Sequence, residues 1–277
     1  HRKYKTNSMK TKDLKTVVQE KYSLIANQSK LQNETSCCGG SSCCGEVDYS
    51  VFSDDYSNVE GYNKDADLGL GCGIPTDYAE IKTGHSVLDL GSGAGNDCFV
   101  ARSLVGETGK VTGIDFTDAM IEKANKNNQK MGFSNVEFIK GDIENMPFEN
   151  NSFDIIISNC VLNLVPDKNK AFHEMYRVLK PGGHFCVSDV VIIGVLPERL
   201  KQDAEMYAGC VSGAIPKEEY INIIAENHFS EIAVKKEKVI DIPAEIMLKY
   251  MSLSELKEFK QQKNGIFSIT VFARKKI

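Results

Sequence analysis

Short apolar runs alternate with amphipathic stretches through the middle of the chain, a pattern typical of a parallel sheet whose strands are joined by helices. The apolar runs predict strands at residues 87–91, 111–115, 136–140, 153–158 and 184–191. The helical periodicity between them predicts helices at residues 96–105, 117–131 and 167–179. We expect Thr117 to cap the second of these helices and Pro181-Gly182-Gly183 to end the third.

The pattern changes on both sides of this alternating region. Residues 10–35 predict a peripheral helix that packs one face on the main domain, and residues 46–80 are acidic and aromatic, which favours a covering segment. Beyond residue 195, the sequence predicts a helix at residues 198–208 that is broken at residues 207–213, followed by a helix at residues 217–227. Two apolar-alternating runs at residues 231–240 and 266–273 predict an antiparallel pair of strands that finishes the sheet.

A glycine-rich turn, Gly91-Ser92-Gly93-Ala94-Gly95, separates the first predicted strand from the first helix after it. Gly91 and Gly93 can adopt positive φ and let a ligand approach the bare backbone, while the helix that follows offers its N–H groups. The third glycine comes four residues after the first, one residue short of the dinucleotide-binding spacing. Together with Asp89 in the strand, this stretch resembles the first motif of class I S-adenosylmethionine-dependent methyltransferases.

Ligands of an open parallel sheet bind beyond the carboxyl ends of the strands, at the point where the winding reverses. Asp115 closes the second strand twenty residues after Gly95, a distance at which an acidic residue accepts hydrogen bonds from a ribose diol. After the third strand, Asp142 is expected to hold the exocyclic amine of an adenine, and Ile143 to pack on its ring. We expect S-adenosylmethionine as cofactor, bound by Asp89, Gly91, Ser92, Gly93, Asn96, Asp115, Phe116, Met120, Asp142, Ile143 and Asn159.

The nine cysteines are odd in number and scattered along an α/β chain, which indicates a reducing cytoplasm rather than a secreted disulfide framework. Residues 37–45 hold two pairs of adjacent cysteines in a glycine- and serine-rich loop, which suits either thiol exchange or a structural zinc ion. Cys98 and Cys186 lie in apolar patterns and are expected to be small core residues.

Two cysteines lie where chemistry is expected. Cys72 has a glycine on each side, so we expect exposed and pliable backbone there, with either a plain loop residue or a functional thiol. Cys160 follows the fourth strand, at the edge of the sheet that faces the methyl group of the cofactor. A cysteine at that position is unusual for an O- or N-methyltransferase, whereas a soft thiolate suits a soft methyl acceptor.

Net charge and hydropathy exclude some partners. The net charge of −5 disfavours binding to a nucleic-acid backbone, and no apolar run is long enough to cross a bilayer. Residues 1–9 are basic and polar without an apolar core, so we expect no secretory signal.

Four stretches at residues 71–75, 87–98, 158–168 and 209–214 resemble arsenite methyltransferases, and the match runs from about residue 68 to residue 214. The resemblance implies that Cys72, Cys160 and Cys210 bind trivalent arsenic, and that a fourth cysteine near the amino terminus takes part in a disulfide relay. Cys44 is our choice among Cys37, Cys38, Cys43 and Cys44, because it lies nearest to the main domain.

The same resemblance implies an α/β fold of class I methyltransferase, Rossmann-like type: a mostly parallel sheet with an antiparallel last strand, a flexible cysteine-containing N-terminal segment and a small C-terminal substrate-binding part. We expect an N-terminal helix and cysteine-rich segment at residues 1–63, the cofactor-binding domain at residues 64–195, and the arsenic-binding part with the closing strands at residues 196–277. The implied activity is arsenic detoxification by methylation of arsenite, methylarsenite or their thiol conjugates. A glutathione- or thioredoxin-type reductant is implied as well. We expect a monomer with no nucleic-acid or membrane partner.

Two other functions stay open from the sequence. A quinone-type C- or O-methyltransferase would share the cofactor motif, but it would leave Cys72 and Cys210 without a role. A thiol-based metalloid-binding protein without turnover would use the cysteines, but it would have no need of Asp89, Asp115 and Asp142.

Overall fold

The computed structural model describes residues 11–27, 54–196, 213–241, 244–262 and 264–277. Within these ranges the backbone forms a seven-stranded sheet in the order β3-β2-β1-β4-β5-β7-β6. The strands are β1 Ser86–Leu90, β2 Lys110–Asp115, β3 Val136–Lys140, β4 Phe153–Asn159, β5 Leu179–Ile193, β6 Phe229–Ile240 and β7 Gly265–Lys275. Strands β1 to β5 are parallel, and β7 runs antiparallel to both β5 and β6, which confirms the predicted mixed sheet.

Seven α-helices are described in these ranges: α1 Thr11–Ala26, α2 Asn96–Val105, α3 Asp118–Met131, α4 Lys168–Val178, α5 Lys217–Glu226, α6 Ala244–Met247 and α7 Leu253–Gln261. Helices α2, α3, α4 and α5 agree with the prediction to within one residue at each end. Thr117 occupies the N-cap position of α3, but its side chain makes no capping bond; its own N–H instead donates to Asp115 at 2.8 Å. The side chain of Asp167 does cap α4, by accepting the N–H of Lys170.

The two faces of the sheet bury two apolar clusters, because side chains alternate along each strand. Leu88, Leu90 and Ile156 point to the face covered by α4 and α5. Val87 and Ile155 point to the opposite face, where α2 and α3 pack. Burying each of these side chains stabilises the fold by about 1.5–3 kcal/mol. The strands that carry the turn described below are therefore held from both sides.

Helix α1 packs on the second of these clusters, as the amphipathic pattern predicts. Ile25 and Ala26 at its end are buried there, and Lys123 of α3 donates a hydrogen bond to the carbonyl of Ala26 at 2.9 Å. Leu24 points away and is 68% exposed. The part of the predicted helix after residue 27 lies outside the described residues.

The prediction was wrong about what ends α4. The helix already ends at Val178, and Leu179 begins β5, so Pro181-Gly182-Gly183 lies inside the strand. The register between β4 and β5 shifts there, from Phe153 opposite Leu179 to Ile155 opposite His184, and a shift of this kind accommodates a proline without its N–H.

The carboxyl-terminal part extends this same sheet. Strands β6 and β7 complete the sheet of the preceding residues, so the predicted boundary at residue 195 falls between strands of one sheet and stays a prediction. Helix α7 was not predicted, although it begins with a capping box between Ser252 and Glu255. The helix predicted at residues 198–208 lies outside the described residues. No helix in the described ranges has the length and apolar character needed to cross a membrane.

Candidate functional site

An open cavity of about 170 Å³ lies at the carboxyl ends of β1, β2 and β4. At β1 the winding of the sheet reverses, because the chain continues to β2 on one side and returns to β4 on the other. All eleven residues expected to bind the cofactor line this cavity, and so does Cys160: Asp89, Gly91, Ser92, Gly93, Asn96, Asp115, Phe116, Met120, Asp142, Ile143 and Asn159. Residues from four separate segments of the sequence, one at the end of each of β1 to β4, are thus brought to one place.

The glycine turn has the backbone that the sequence predicts. Gly91 and Gly93 have φ of 65° and 51°, and the N–H groups of Gly91 and Ser92 both donate to the carbonyl of Ile114 on β2. A Cβ built on Gly93 meets nothing within 4 Å, so this side of the turn is open. A Cβ on Gly91 would lie 2.5 Å from Val161, so the first glycine is needed for close packing as well as for its φ.

Asp115 lies next to this turn and is oriented by it. Its carboxylate accepts hydrogen bonds from the N–H of Gly93 at 3.1 Å and of Thr117 at 2.8 Å. Burial raises the pKa of Asp115, although these N–H groups lower it. The hydroxyls of Ser92 and Thr117 line the same cavity and are buried without a hydrogen-bond partner among the described residues. Orphaned buried hydroxyls beside an oriented carboxylate fit a polar ligand such as a nucleoside.

Asp142 has a partner that the sequence did not reveal. Its Oδ2 lies 2.6 Å from Nζ of Lys15 on α1, and Lys15 also contacts the carboxylate of Glu144. The Oδ1 of Asp142 accepts the N–H of Glu144 at 2.9 Å. Burial opposes ionisation of Asp142, but Lys15 and the Glu144 N–H hold its pKa below the usual value. Ile143 is 9% exposed and lies beside these groups in the cavity wall.

Two further carboxyl groups lie beside the turn, the buried Asp89 and the half-buried Asp97. Asp89 is 2% exposed and accepts a hydrogen bond from the Cys98 thiol at 3.2 Å. Burial and the neighbouring Asp97 raise the pKa of Asp89 well above its usual value, and burial raises that of Asp97 to about 6. The prediction that Cys98 and Cys186 are core residues is confirmed, since both side chains are fully buried.

Cys72 is not exposed, and the expectation of a pliable exposed backbone was wrong. It is 1% exposed and packs with Cys160, Val190 and Ala214 in one apolar cluster. The glycines serve close packing instead, because a Cβ on Gly73 would lie 2.5 Å from the hydroxyl oxygen of Ser188. The backbone of Cys72 is held on both sides: its N–H donates to the side chain of Asn159 at 3.0 Å, and its carbonyl accepts a hydrogen bond from Ser268.

Cys160 adopts an uncommon backbone conformation. Its φ is +61°, in the left-handed region that few residues other than glycine occupy, and its N–H donates to the carbonyl of Ser188 at 2.7 Å. Strained backbone of this kind persists where the surrounding structure holds it, and it clusters at functional sites. Here it turns the chain directly after β4, where Cys160 is 3% exposed and lines the cavity.

Cys210, Cys44 and the alternatives Cys37, Cys38 and Cys43 all lie outside the described residues. Within the described ranges, no three histidine, cysteine or acidic side chains are grouped as metal ligands. Ala214, four residues after Cys210, packs in the cluster that holds Cys72 and Cys160.

Comparison with known proteins gives consistent matches. The profile of a methyltransferase domain matches residues 81–228. An arsenite methyltransferase of Halobacterium salinarum is 40% identical over 239 residues, which cover 81% of this chain and 60% of that protein. An arsenic(III) S-adenosylmethionine methyltransferase of Chlamydomonas reinhardtii, known from its crystal structure, has a TM-score of 0.62 and 33% identity, covering 84% of this chain and 75% of that one. The chain belongs to the arsenite methyltransferase family.

The match to curated arsenite methyltransferases is partial in length. The chain spans 60% of the archaeal protein and 46% of the human one, to which it is 40% identical over 184 residues, or 63% of this chain. Family membership therefore establishes the fold and the methyltransferase class. The substrate of this chain has to be argued from its own residues.

Several cavity residues of this arsenite methyltransferase family member were missed from the sequence. Lys15 and Tyr22 of α1 and Tyr56 of the covering segment lie in stretches without a motif, and no signal in the sequence points to them. Asp97 directly follows Asn96 in the glycine-rich motif, so its position beside the turn could have indicated it. Thr117 was interpreted only as a helix cap, and its hydroxyl lines the cavity instead.

Proposed function

We propose that the protein transfers methyl groups from S-adenosylmethionine to trivalent arsenic held by the thiols of Cys72, Cys160 and Cys210. The observation that carries the proposal is the position of Cys160. It lines the cavity together with the eleven expected cofactor residues, and it packs in the same apolar cluster as Cys72. Two buried cysteines of one apolar cluster, one of them in the cavity wall, are therefore available to hold a methyl acceptor beside the cofactor.

The cofactor fits the residues of the cavity. Asp115 is oriented to accept hydrogen bonds from ribose hydroxyls, and the hydroxyls of Ser92 and Thr117 offer further polar contacts. Asp142 and Ile143 are assigned to the adenine. The carboxylate of Asp142 also forms an ion pair with Lys15. Asp89, Gly91, Gly93, Asn96, Phe116, Met120 and Asn159 form the rest of the wall. Because the cofactor is cationic at sulfur, the buried carboxylates around it favour its binding.

Trivalent arsenic suits the thiol end because it is a soft acceptor of thiolate ligands. Three thiolates can surround it in a pyramid that leaves its lone pair unshared. Cys72 and Cys160 supply two of them from one buried cluster. The covalent chain keeps Cys210 within about 14 Å of Ala214 in that cluster, because four residues cannot span more. We therefore propose Cys210 as the third thiol.

S-adenosylmethionine supplies an electrophilic methyl group on its sulfonium sulfur. The contribution of the chain is to hold the arsenic next to the cavity and to exclude water around it, since both cysteines are buried among apolar side chains. No general base is needed, because the attacking arsenic atom carries no proton. Positioning of two reactants in this way lowers a barrier by up to roughly 7–11 kcal/mol when the alignment is good.

Methylation formally oxidises arsenic to the pentavalent state. Its return to the trivalent state takes two electrons from two thiols, which form a disulfide that an external thiol of glutathione or thioredoxin type must reduce. We assign this relay to Cys44 together with the arsenic-binding cysteines, with Cys37, Cys38 and Cys43 as the alternatives. The proposed setting is detoxification by a monomer in a reducing cytoplasm, with the cysteine-rich segment at residues 1–63, the cofactor domain at residues 64–195 and the arsenic-binding part at residues 196–277.

The test is to incubate the protein with arsenite, S-adenosylmethionine and a thiol, and to identify the arsenic species by chromatography and mass spectrometry. Methylarsenicals that accumulate with time support the proposal. Bound arsenite without methyl transfer would instead indicate a metalloid-binding protein. Methylation of a quinone precursor but not of arsenite would indicate the quinone-type enzyme.

A further inference from the structure

The side-chain amide of Asn159 joins two parts of the site. Asn159 ends β4, one residue before Cys160. Its Oδ1 accepts the N–H of Cys72 at 3.0 Å. Its Nδ2 lies within hydrogen-bond distance of three oxygens: the Tyr56 hydroxyl at 2.9 Å, the Gly73 carbonyl at 2.8 Å and Oδ2 of Asp97 at 3.1 Å. Every polar atom of this amide is thus used by protein groups.

Tyr56 closes the same network from the covering segment. Its side chain is 5% exposed, and its hydroxyl lies 2.6 Å from Oδ1 of Asp97 and 3.0 Å from the carbonyl of Gly73. Burial next to Asp97 raises the pKa of Tyr56 well above its usual value, so the phenol stays protonated and can donate. Tyr56 therefore connects the first turn of α2 with the backbone just after Cys72.

The network reaches both functional ends of the site. Asp97, Tyr56 and Asn159 line the cofactor cavity, whereas Cys72 lies in the apolar thiol cluster and not in the cavity wall. Two hydrogen bonds separate the cavity carboxylate of Asp97 from the N–H of Cys72, because Asn159 bonds to both. If the amide of Asn159 keeps both hydrogen bonds, a displacement of the Asp97 carboxylate also displaces the backbone N–H of Cys72.

We propose that Tyr56 and Asn159 are positioning residues that hold Cys72 buried beside Cys160 and couple its position to occupancy of the cofactor cavity. They act through the backbone of Cys72 and Gly73, and they need not touch arsenic. The relevance of this coupling to arsenic rests on the proposed function. The immobilisation of Cys72 itself can be measured without arsenic.

The first experiment measures how fast each cysteine of the full-length protein reacts with iodoacetamide, by peptide mass spectrometry. A buried thiol reacts only when its surroundings open locally. Tyr56→Phe removes one hydroxyl from the network, and we expect Cys72 to react roughly tenfold faster, with a larger increase in Asn159→Ala. Cys186, buried inside β5, should keep its rate and so report that the whole fold has not loosened.

Tyr62→Phe is the matched control. Tyr62 lies in the same covering segment, and its hydroxyl donates to Asp67 at 3.1 Å, outside the network of Asn159. This variant should leave the reaction rate of Cys72 unchanged. Equal rates for Cys72 in the wild type and in both network variants would overturn the positioning role, and so would acceleration of Cys72 and Cys186 by the same factor.

The second experiment repeats the alkylation with saturating S-adenosylhomocysteine. We expect slower reaction of Cys72 in the wild type and in Tyr62→Phe, and no such protection in Tyr56→Phe, a difference that a purely structural role would not produce. Protection that persists in Tyr56→Phe, or that is absent from the wild type, overturns the coupling. This outcome differs from a failure of the proposed function, in which the wild-type protein would yield no methylated arsenic.

Discussion

The two ends of the site are built in different ways. The cofactor end comes from consecutive strand–helix turns, with oriented carboxylates such as Asp115 and open backbone at Gly93. The thiol end is an apolar cluster in which Cys72 and Cys160 meet side chains of β5 and β7, such as Val190 and Ile266. The cofactor end can recognise a cationic, hydroxyl-bearing ligand, whereas the thiol end offers sulfur in a dry environment.

This difference separates binding of the cofactor from binding of the methyl acceptor. Changes at the cofactor end should alter affinity for the nucleotide, and changes at the thiol end should alter turnover of arsenic. The amide of Asn159 bonds both to Asp97 in the cavity wall and to the N–H of Cys72, whereas the hydrogen bonds of Asp115 stay within the cofactor end. Variants at the two ends should therefore separate the two kinds of effect.

The largest effect is expected from Cys160→Ser. The hydroxyl is a hard and weakly acidic ligand, so arsenic would be lost or displaced, and kcat/KM for arsenite should fall at least about 100-fold. Calorimetric affinity for S-adenosylmethionine should stay within about threefold, because Cys160 only borders the cofactor residues. Cys186→Ala, which removes a buried thiol inside β5, should keep its activity. A Cys160→Ser enzyme that methylates arsenite at the normal rate contradicts the assignment.

A somewhat smaller effect, on the other end, is expected from Asp115→Asn. The loss of a charged acceptor for the ribose hydroxyls should weaken S-adenosylmethionine binding about 10- to 100-fold, as measured by calorimetry. Binding of arsenite should change little. Asp118→Asn is the control, since Asp118 is exposed and pairs with Lys140 on the surface. Equal losses in these two variants would mean that Asp115 is not in the binding site.

Asp97→Asn should reveal a conflict between stability and binding. Burial raises the pKa of Asp97 to about 6, so the folded protein holds a proton that the unfolded chain releases between about pH 4 and pH 6. Stability of the wild type therefore falls as the pH rises through this window, and the loss persists above it.

Asp97→Asn removes this loss of stability, because the amide does not ionise. It should be more stable than the wild type by about 1–3 kcal/mol at pH 8 and show no such gain at pH 4, as measured by chemical denaturation at both values. Its affinity for the cationic cofactor should be lower at pH 8, since a negative charge in the cavity wall is gone. A variant destabilised equally at both pH values would show that the hydrogen bonds of Asp97 outweigh its charge.

The smallest effect on cofactor binding is expected from Lys15→Met. Lys15 and Asp142 are 35% and 45% exposed, so their own ion pair should contribute less than about 1 kcal/mol to the free energy of unfolding. The variant also removes the contact of Lys15 with the buried carboxylate of Glu144, which adds to this loss of stability. If Asp142 also holds the adenine amine, freeing its carboxylate should tighten cofactor binding by up to about threefold. Lys140→Met, which removes an exposed pair, is the control. Tenfold weaker binding in Lys15→Met would instead place Lys15 in direct contact with the cofactor.

The residues that line the cavity at the cofactor end could be brought together from the sequence because they lie in short local segments. The strand, the glycine turn and the helix at residues 87–105 follow one another, and Asp115 lies at a fixed spacing from them. The antiparallel pair that finishes the sheet could be predicted in the same way, because alternating apolar positions indicate both strands.

The thiol end was harder to predict from the sequence, because residues that are distant in the sequence assemble it. The burial of Cys72 depends on Ser268 and Asn159, and two flanking glycines alone indicate the opposite. The roles of Lys15 and Tyr56 depend on how α1 and the covering segment pack, and neither segment carries a motif. Tertiary contacts of this kind leave no periodic trace in one sequence.

The proposed function requires Cys72 and Cys160 to bind the same arsenic atom. X-ray absorption at the arsenic edge counts the sulfur ligands, on protein in which Cys37, Cys38, Cys43 and Cys44 are all replaced by serine and one equivalent of arsenite is added. We predict a shell of three sulfur atoms that loses one sulfur in Cys72→Ser and one in Cys160→Ser. A shell of three sulfur atoms that survives both substitutions would contradict the proposed function.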